Sequence, residues 1–278
     1  MMRRIALIQL PYDSGHLNVR MGRGPAALIG RGLADALRAS CEVEVHEIFL
    51  ADGFHTEASA LVELQRRATT TARETIARDA RPIFLSGNCG PAALSATAAL
   101  NPATTGVVWF DAHADFNTPE TSPSGFLDGM GLAILTGRCW RNLAPRFENF
   151  TPIPEEQIIQ IGVHRLDVEE KSLLESTRII RIAARELDRL PSALNQLTRQ
   201  TPRLYVHLDA DVLDISEGSA NSYACVGGLT RRDLYQALEF IRSNAEIGAA
   251  SITSYDPAAD ADGRIAQTLF GAIRLLGP

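Results

Sequence analysis

The chain lacks most of the features that mark a secreted, membrane-bound or nucleic-acid-binding protein. Its four cysteines, Cys41, Cys89, Cys139 and Cys225, lie far apart, with no CxxC pair and no framework spacing, which argues against disulfides. No apolar run reaches the roughly 20 residues that a bilayer span requires. The opening MMRRIALIQL has two arginines and a short apolar run, without the longer apolar region and small-residue cleavage site of a signal peptide. These absences predict a cytoplasmic protein with no membrane partner. Positive charge is not in excess either. The net charge is −6 over 278 residues, which argues against a general nucleic-acid binder. Internal repeats, low-complexity tracts and linkers are missing, so one domain over residues 1–278 is expected.

What is present is an alternation of buried strands and helices. Strands are expected at residues 5–10, 42–49 (at a sheet edge), 83–85, 107–110, 157–163, 178–182, 204–208 and 249–254, from their apolar runs. Helices are expected from Pro25 to about residue 39, at 57–80, from Pro91, after 131, up to about 176, and at 184–199, 231–244 and 264–276. In the second of these, Ala60, Leu61, Leu64, Ala68, Ala72 and Ile76 recur at helical spacing between charges, as on a helix that covers one face of a sheet. The alternation predicts an α/β fold, a three-layer α/β/α sandwich with a central parallel sheet. Ligand sites in such sheets lie beyond the carboxyl ends of the strands. Asn88-Cys89, Asp111/His113/Asp115, Asp209/Asp211 and Ser254/Asp256 all fall there.

The stretch 107–125, VVWFDAHADFNTPETSPSG, carries the strongest chemistry. Asp111, His113 and Asp115 occupy alternate positions after a buried run, and alternate residues of an extended backbone point to one side. Two carboxylates and an imidazole gathered there need a cation or a dense hydrogen-bond network. A second strand end reads Asp209-Ala210-Asp211. Four aspartates and a histidine suit two bridged divalent ions, which can deprotonate a shared water near neutral pH. Hard oxygens plus imidazole suit manganese, with zinc, iron or nickel as alternatives.

DAHADFNTPETSPSG, HLDADVLD, GGLT at 227–230 and GPAAL near residue 24 together resemble the arginase–agmatinase superfamily, the ureohydrolases, over nearly the whole chain. The resemblance implies an arginase-like fold and two manganese ions that activate a bridging hydroxide against a guanidino or amidino carbon. It assigns Asp111 and Asp209 as ligands of both metals, His113 and Asp211 as ligands of one, and Asp115 of the other. Asn117 and Ser124 match residues that hold a substrate α-carboxylate. Asp167 matches an acid that contacts the α-amino group, with Glu170 assisting. These four imply an amino-acid substrate of arginine size, the small-molecule partner of the protein. The chain stops at its last helix without the extension through which some arginases trimerise, and a monomer is expected.

Three positions depart from the family pattern. The family turn GGDHS, whose histidine ligates the metal held by Asp115, reads SGNCG here, so Cys89 stands as the candidate ligand, or as an inert buried residue. The family's mobile proton-shuttle histidine aligns with Asp128, which becomes a catalytic candidate or a helix cap. The glutamate that clamps the guanidinium aligns with Ser254. Asp115, Asp128 and Ser254 are thus the catalytic candidates. His207 faces the same side as Asp209, as a buried structural histidine or a donor behind the ligands. The pattern looks like that of an Nω-hydroxy-L-arginine amidinohydrolase of the D-cycloserine-type antibiotic pathway, forming L-ornithine and hydroxyurea. Another ureohydrolase (an arginase, formiminoglutamase or guanidino-acid hydrolase) and a non-catalytic ligand-binding pseudoenzyme are the competing readings.

Overall fold

The structure is a computed structural model, and it describes residues 4–50 and 56–278. Its strands are β1 (Arg4–Leu10), β2 (Tyr12–Asp13), β3 (His16–Leu17), β4 (Glu42–Glu47), β5 (Ala80–Ser86), β6 (Thr105–Phe110), β7 (Ile158–Ile161), β8 (Ile180–Ile182), β9 (Arg203–Asp209) and β10 (Glu246–Thr253). Its α-helices are α1 (Gly24–Gly30), α2 (Leu33–Arg38), α3 (Glu57–Ala77), α4 (Cys89–Ala99), α5 (Gly131–Leu135), α6 (Val168–Glu175), α7 (Leu190–Thr198), α8 (Arg231–Asn244) and α9 (Arg264–Leu276). The described residues form an eight-stranded sheet in the order β4-β1-β5-β10-β9-β6-β7-β8. All its pairings are parallel, whereas β2 and β3 make a small antiparallel hairpin. No described helix is long and apolar enough to cross a membrane.

Parallel strands covered on both faces read as continuous apolar runs, and every residue of β6 is buried. Neighbouring residues serve opposite layers, as the pleat requires. Val108 and Phe110 pack with Leu28, Leu37, Leu194, Leu238 and Leu269 from α1, α2, α7, α8 and α9. Val107 and Trp109 pack with Leu64, Leu94, Leu132 and Leu174 from α3 to α6. This is the three-layer α/β/α arrangement that the sequence predicts, with β4 at one edge.

Several boundaries move for identifiable reasons. The helix expected from Pro25 to residue 39 is two helices, broken where Gly32 takes φ +89°, a left-handed conformation that glycine adopts without strain. The helix expected at 184–199 begins as a 3-10 turn over Ala184–Arg189 and becomes α-helical at Leu190. Helix α4 starts at Cys89, two residues before the proline that was expected to open it. The first-turn N–H groups of a helix have no internal partner, so Pro91 costs nothing there. Strand β5 runs through Pro82, but β10 pairs with it only from Ile83 onward, which leaves no ladder bond for the proline to break on that side.

Register decides where the polar residues emerge. Phe110 lies opposite Leu208, and Thr253 lies opposite both Asp209 and Ser86. Ser86, Thr253, Asp209 and Asp111 therefore line up along one rim. The turn after β5 is pinned by Gly87, where an added Cβ would sit 2.2 Å from the Tyr12 carbonyl oxygen and 2.7 Å from the Gly22 nitrogen. Both neighbours are backbone and cannot step aside. Gly87→Ala is expected to lose about 1–3 kcal/mol of stability, read as a lower urea midpoint at constant m-value. An unchanged midpoint would show that this turn is free to shift.

Candidate metal centre

The acidic residues converge at the rim of the sheet. Strand β6 ends at Phe110, but the chain stays beside the continuation of β7, with the Asp111 N–H donating to the Ile161 carbonyl at 3.1 Å and His113 in a parallel bridge with Arg165, before Asp115 takes a left-handed φ of +51°. Asp111 is anchored from below, its Oδ2 accepting from Trp109 Nε1 at 3.0 Å and its Oδ1 from the His113 N–H at 2.8 Å. His113 Nδ1 lies 3.5 Å from Asp111 Oδ1 and 3.5 Å from Asp211 Oδ2. Asp209 closes β9 and accepts from the Asp211 N–H at 2.9 Å. From the other side, the Cys89 thiol meets Asp209 Oδ2 at 3.1 Å, Thr253 Oγ1 at 3.2 Å and Ser254 Oγ at 3.5 Å.

Two sets of ligand atoms lie within 4.8 Å of one another among the described residues: Cys89, Asp111, His207 and Asp209, and Asp111, His113 and Asp211. Asp115 falls in neither set, but it is buried and its Oδ2 has no hydrogen-bond partner. Asp211 Oδ1 is likewise buried and unpartnered. Buried carboxylate oxygens without donors are costly, and divalent ions would satisfy them. The donor set and its orphaned oxygens fit a binuclear metal centre.

The electrostatics agree. Burial, then the charges of Asp111, Asp128 and Asp209, raise Asp115 well above the ordinary carboxylate range. Burial, then Asp211 and Asp111, do the same to Asp209. Burial and the surrounding carboxylates Asp128, Asp209, Asp115 and Asp111 push the Cys89 thiol well above its usual value. Burial opposes a charge on His113, but Asp111 and Asp211 outweigh it and push the imidazole up to about 12. Asp211, held by His113 against the same burial, is lowered. One imidazolium cannot neutralise four clustered aspartates, and the remaining groups retain protons until cations replace them.

The centre forms the floor of a cavity of about 550 Å3. Asn117, Ser124, Asp167 and Glu170 all reach its wall. Asn117 Nδ2 donates to Asp167 Oδ2 at 2.9 Å. Glu170 is buried, with Oε1 accepting from the Phe116 N–H at 2.9 Å and Oε2 from the Asp167 N–H at 3.2 Å, so it fixes the loop that carries Asp167. Ser124 is exposed at the mouth and caps the Phe126 N–H at 3.2 Å. Ser254 has φ +59° and places its hydroxyl on the cavity floor.

Asp128 lies on the wall too, but both its oxygens are engaged. Oδ1 accepts from the Cys89 N–H at 2.7 Å and the Gly90 N–H at 3.3 Å, and Oδ2 from Asn88 Nδ2 at 2.8 Å. It holds the N-terminal turn of α4, where partial positive charge gathers. Burial pushes it up to about 7 against the donors that favour its anion.

Other residues at the site have weaker signals in the sequence. Asn221, in the long loop after β9, donates to Asp211 Oδ2 at 3.2 Å and to the Ser254 carbonyl at 2.7 Å. Phe126 and Tyr223 stack with ring centres 6.1 Å apart beside the mouth. His164 lines the cavity as well, and its Nε2 lies 3.2 Å from the Cys225 thiol. His207 is fully buried, and burial pushes it down to about 3. The sequence pointed to His207 by its place two residues before Asp209, whereas for Asn221 and Tyr223 the length and polarity of the 212–230 loop were the hint.

Comparison with known proteins gives the site a context. An arginase from Bacillus caldovelox is 28% identical over 297 aligned residues, covering 99% of this chain and 97% of its own. A Staphylococcus aureus arginase is 26% identical, with coverage of 99% and 96%. The crystal structure of the native B. caldovelox arginase superposes with a TM-score of 0.88 at 27% identity, covering 99% of this chain and 98% of that one. Formimidoylglutamase from Bacillus subtilis, at 17% identity and a TM-score of 0.77, shares the fold. A model of the arginase family matches residues 3–276, and with the residues of a binuclear metal centre in place at its sheet rim, the chain belongs to the arginase family.

Proposed function

We propose that the chain hydrolyses the guanidino C–N bond of Nω-hydroxy-L-arginine, giving L-ornithine and hydroxyurea. Ser254 carries this reading. Its hydroxyl stands on the cavity floor at the position where the family resemblance places a guanidinium-clamping glutamate. The other wall carboxylates are engaged: Asp115, Asp209 and Asp211 face the metal pocket, Asp128 the α4 turn, Asp167 Asn117, and Glu170 two backbone N–H groups. Arginine keeps its charge at any accessible pH, and a buried cation without a partner is strongly disfavoured. A hydroxyguanidine is much less basic, enters neutral, and can hydrogen-bond a serine without charge.

Two divalent ions would supply an activated water as nucleophile, and manganese suits the Asp111, His113 and Asp211 cluster. The chain's own residues grip the amino-acid end through Asn117, Ser124 and Asp167. The Phe126–Tyr223 pair stands beside the mouth of the cavity. The relatives named arginase support a second reading, hydrolysis of arginine itself, and the substrate assay below separates the two.

Metal-loaded protein is expected to contain close to two equivalents of divalent metal by elemental analysis. Cys89→Ser should lower the occupancy of one ion and cut activity, and Cys89→His should restore binding. A reproducible content below one equivalent in the unmodified protein, or full metal and rate in Cys89→Ala, would remove the ligand assignment.

Selectivity gives the sharper test. Loss of about 3 kcal/mol of transition-state stabilisation for arginine corresponds to roughly a hundredfold in kcat/KM. Nω-hydroxy-L-arginine should therefore be preferred by about that factor, and Ser254→Glu should narrow the gap. Equal kcat/KM for both substrates would return the chain to the ordinary arginases.

A further inference from the structure

The family turn places an imidazole where this chain has Cys89, and a second imidazole lies close by. His207 precedes Asp209 by two residues on β9 and turns the same way. Its Nδ1 is engaged by the hydroxyls of Tyr205 at 3.0 Å and Ser251 at 2.9 Å. Its ring stacks on Trp109 with centres 3.7 Å apart and planes 20° from parallel. Those contacts fix the ring and leave Nε2 facing Thr253 Oγ1 at 3.4 Å, the hydroxyl that also touches the Cys89 thiol at 3.2 Å. Cys89, Asp111, His207 and Asp209 accordingly offer four ligand atoms within 4.8 Å of one another, a set that Asp115 does not join.

From this arrangement we infer that His207 is a ligand of the ion held by Cys89, Asp111 and Asp209, supplying the nitrogen donor that position 89 has lost. The inference rests on the metal-dependent reading proposed above. It makes the two halves of the centre chemically unlike. The Cys89 half combines thiolate, imidazole and carboxylate and selects zinc or cobalt, whereas the Asp111, His113 and Asp211 half is harder and accepts manganese. The hydroxyls of Tyr205 and Ser251 hold the ring's far nitrogen, as ligating histidines require for a fixed tautomer.

The test uses the full chain and reads metal binding directly. Wild-type protein labelled with 15N-histidine and loaded with 113Cd should bind two equivalents and show 113Cd–15N coupling on two histidines, His113 and His207. Cobalt titration should give a sulfur-to-cobalt charge-transfer band in the near ultraviolet that Cys89→Ser abolishes. In His207→Gln that ion should bind about tenfold more weakly or worse, with manganese at the other half retained. Two bound ions with coupling to His113 alone would overturn the inference and leave the metal-dependent reading intact. Fewer than one bound ion in the wild type would overturn both. The wild-type spectra decide the matter even if the buried glutamine variant does not fold.

Discussion

Like charge held out of water is the constraint on which this structure turns. Asp111, Asp115, Asp209 and Asp211 are all buried within one rim of the sheet, and among the described residues the imidazole of His113 is the one basic side chain paired with them there. Removing a carboxylate from water costs several kcal/mol unless a partner replaces the solvent. The sheet imposes the crowding, since the pairing of Phe110 with Leu208 delivers Asp111 beside Asp209. Two apolar layers fix that register, because a one-residue slip would turn Val107 and Trp109 into the opposite layer. Core packing thus enforces an arrangement that the acids alone would refuse, and cations resolve it.

Much of this was legible in the sequence because it is local. Continuous apolar runs such as residues 107–110 mark strands buried on both faces, and the acids that follow them mark the rim. The spacing of Asp111, His113 and Asp115 was suggestive because alternate residues of an extended backbone point to one side. Asp111 and His113 meet as alternate residues do, and Asp115 follows in a left-handed conformation. Contacts between distant segments were not legible. Asn221 reaches Asp211 and Ser254 across a loop, and Thr253 joins Cys89 to His207 only because β10 lies beside β9. No periodicity encodes such contacts. The break at Gly32 was missed because a lone glycine within a helical pattern is ordinarily tolerated.

The departures from the family pattern also look different once placed in space. Read along the chain, Asn88-Cys89 and Asp128 are separate substitutions some 40 residues apart. In the fold they are one unit, because Asp128 accepts from the Asn88 side chain and from the Cys89 and Gly90 backbone. The carboxylate fastens the first turn of α4 and so sets the position of the Cys89 thiol over Asp209. Of the two sequence readings of position 128, catalytic group or helix cap, these contacts match the second.

That role bears on the chemistry as well. A mobile histidine can swing toward a leaving group and protonate it, but Asp128 is tied by three N–H donors to the turn beneath it, and releasing it would leave those donors unpaired in a buried place. When a guanidino C–N bond is broken toward ornithine the group expelled is the δ-amine, and its proton must then come from elsewhere than a swinging side chain at this position. Ser254 bears on binding instead, since its hydroxyl offers no charge to hold a guanidinium. The two positions thus act on different things, Asp128 on the placement of the α4 turn and Ser254 on the charge available at the cavity floor.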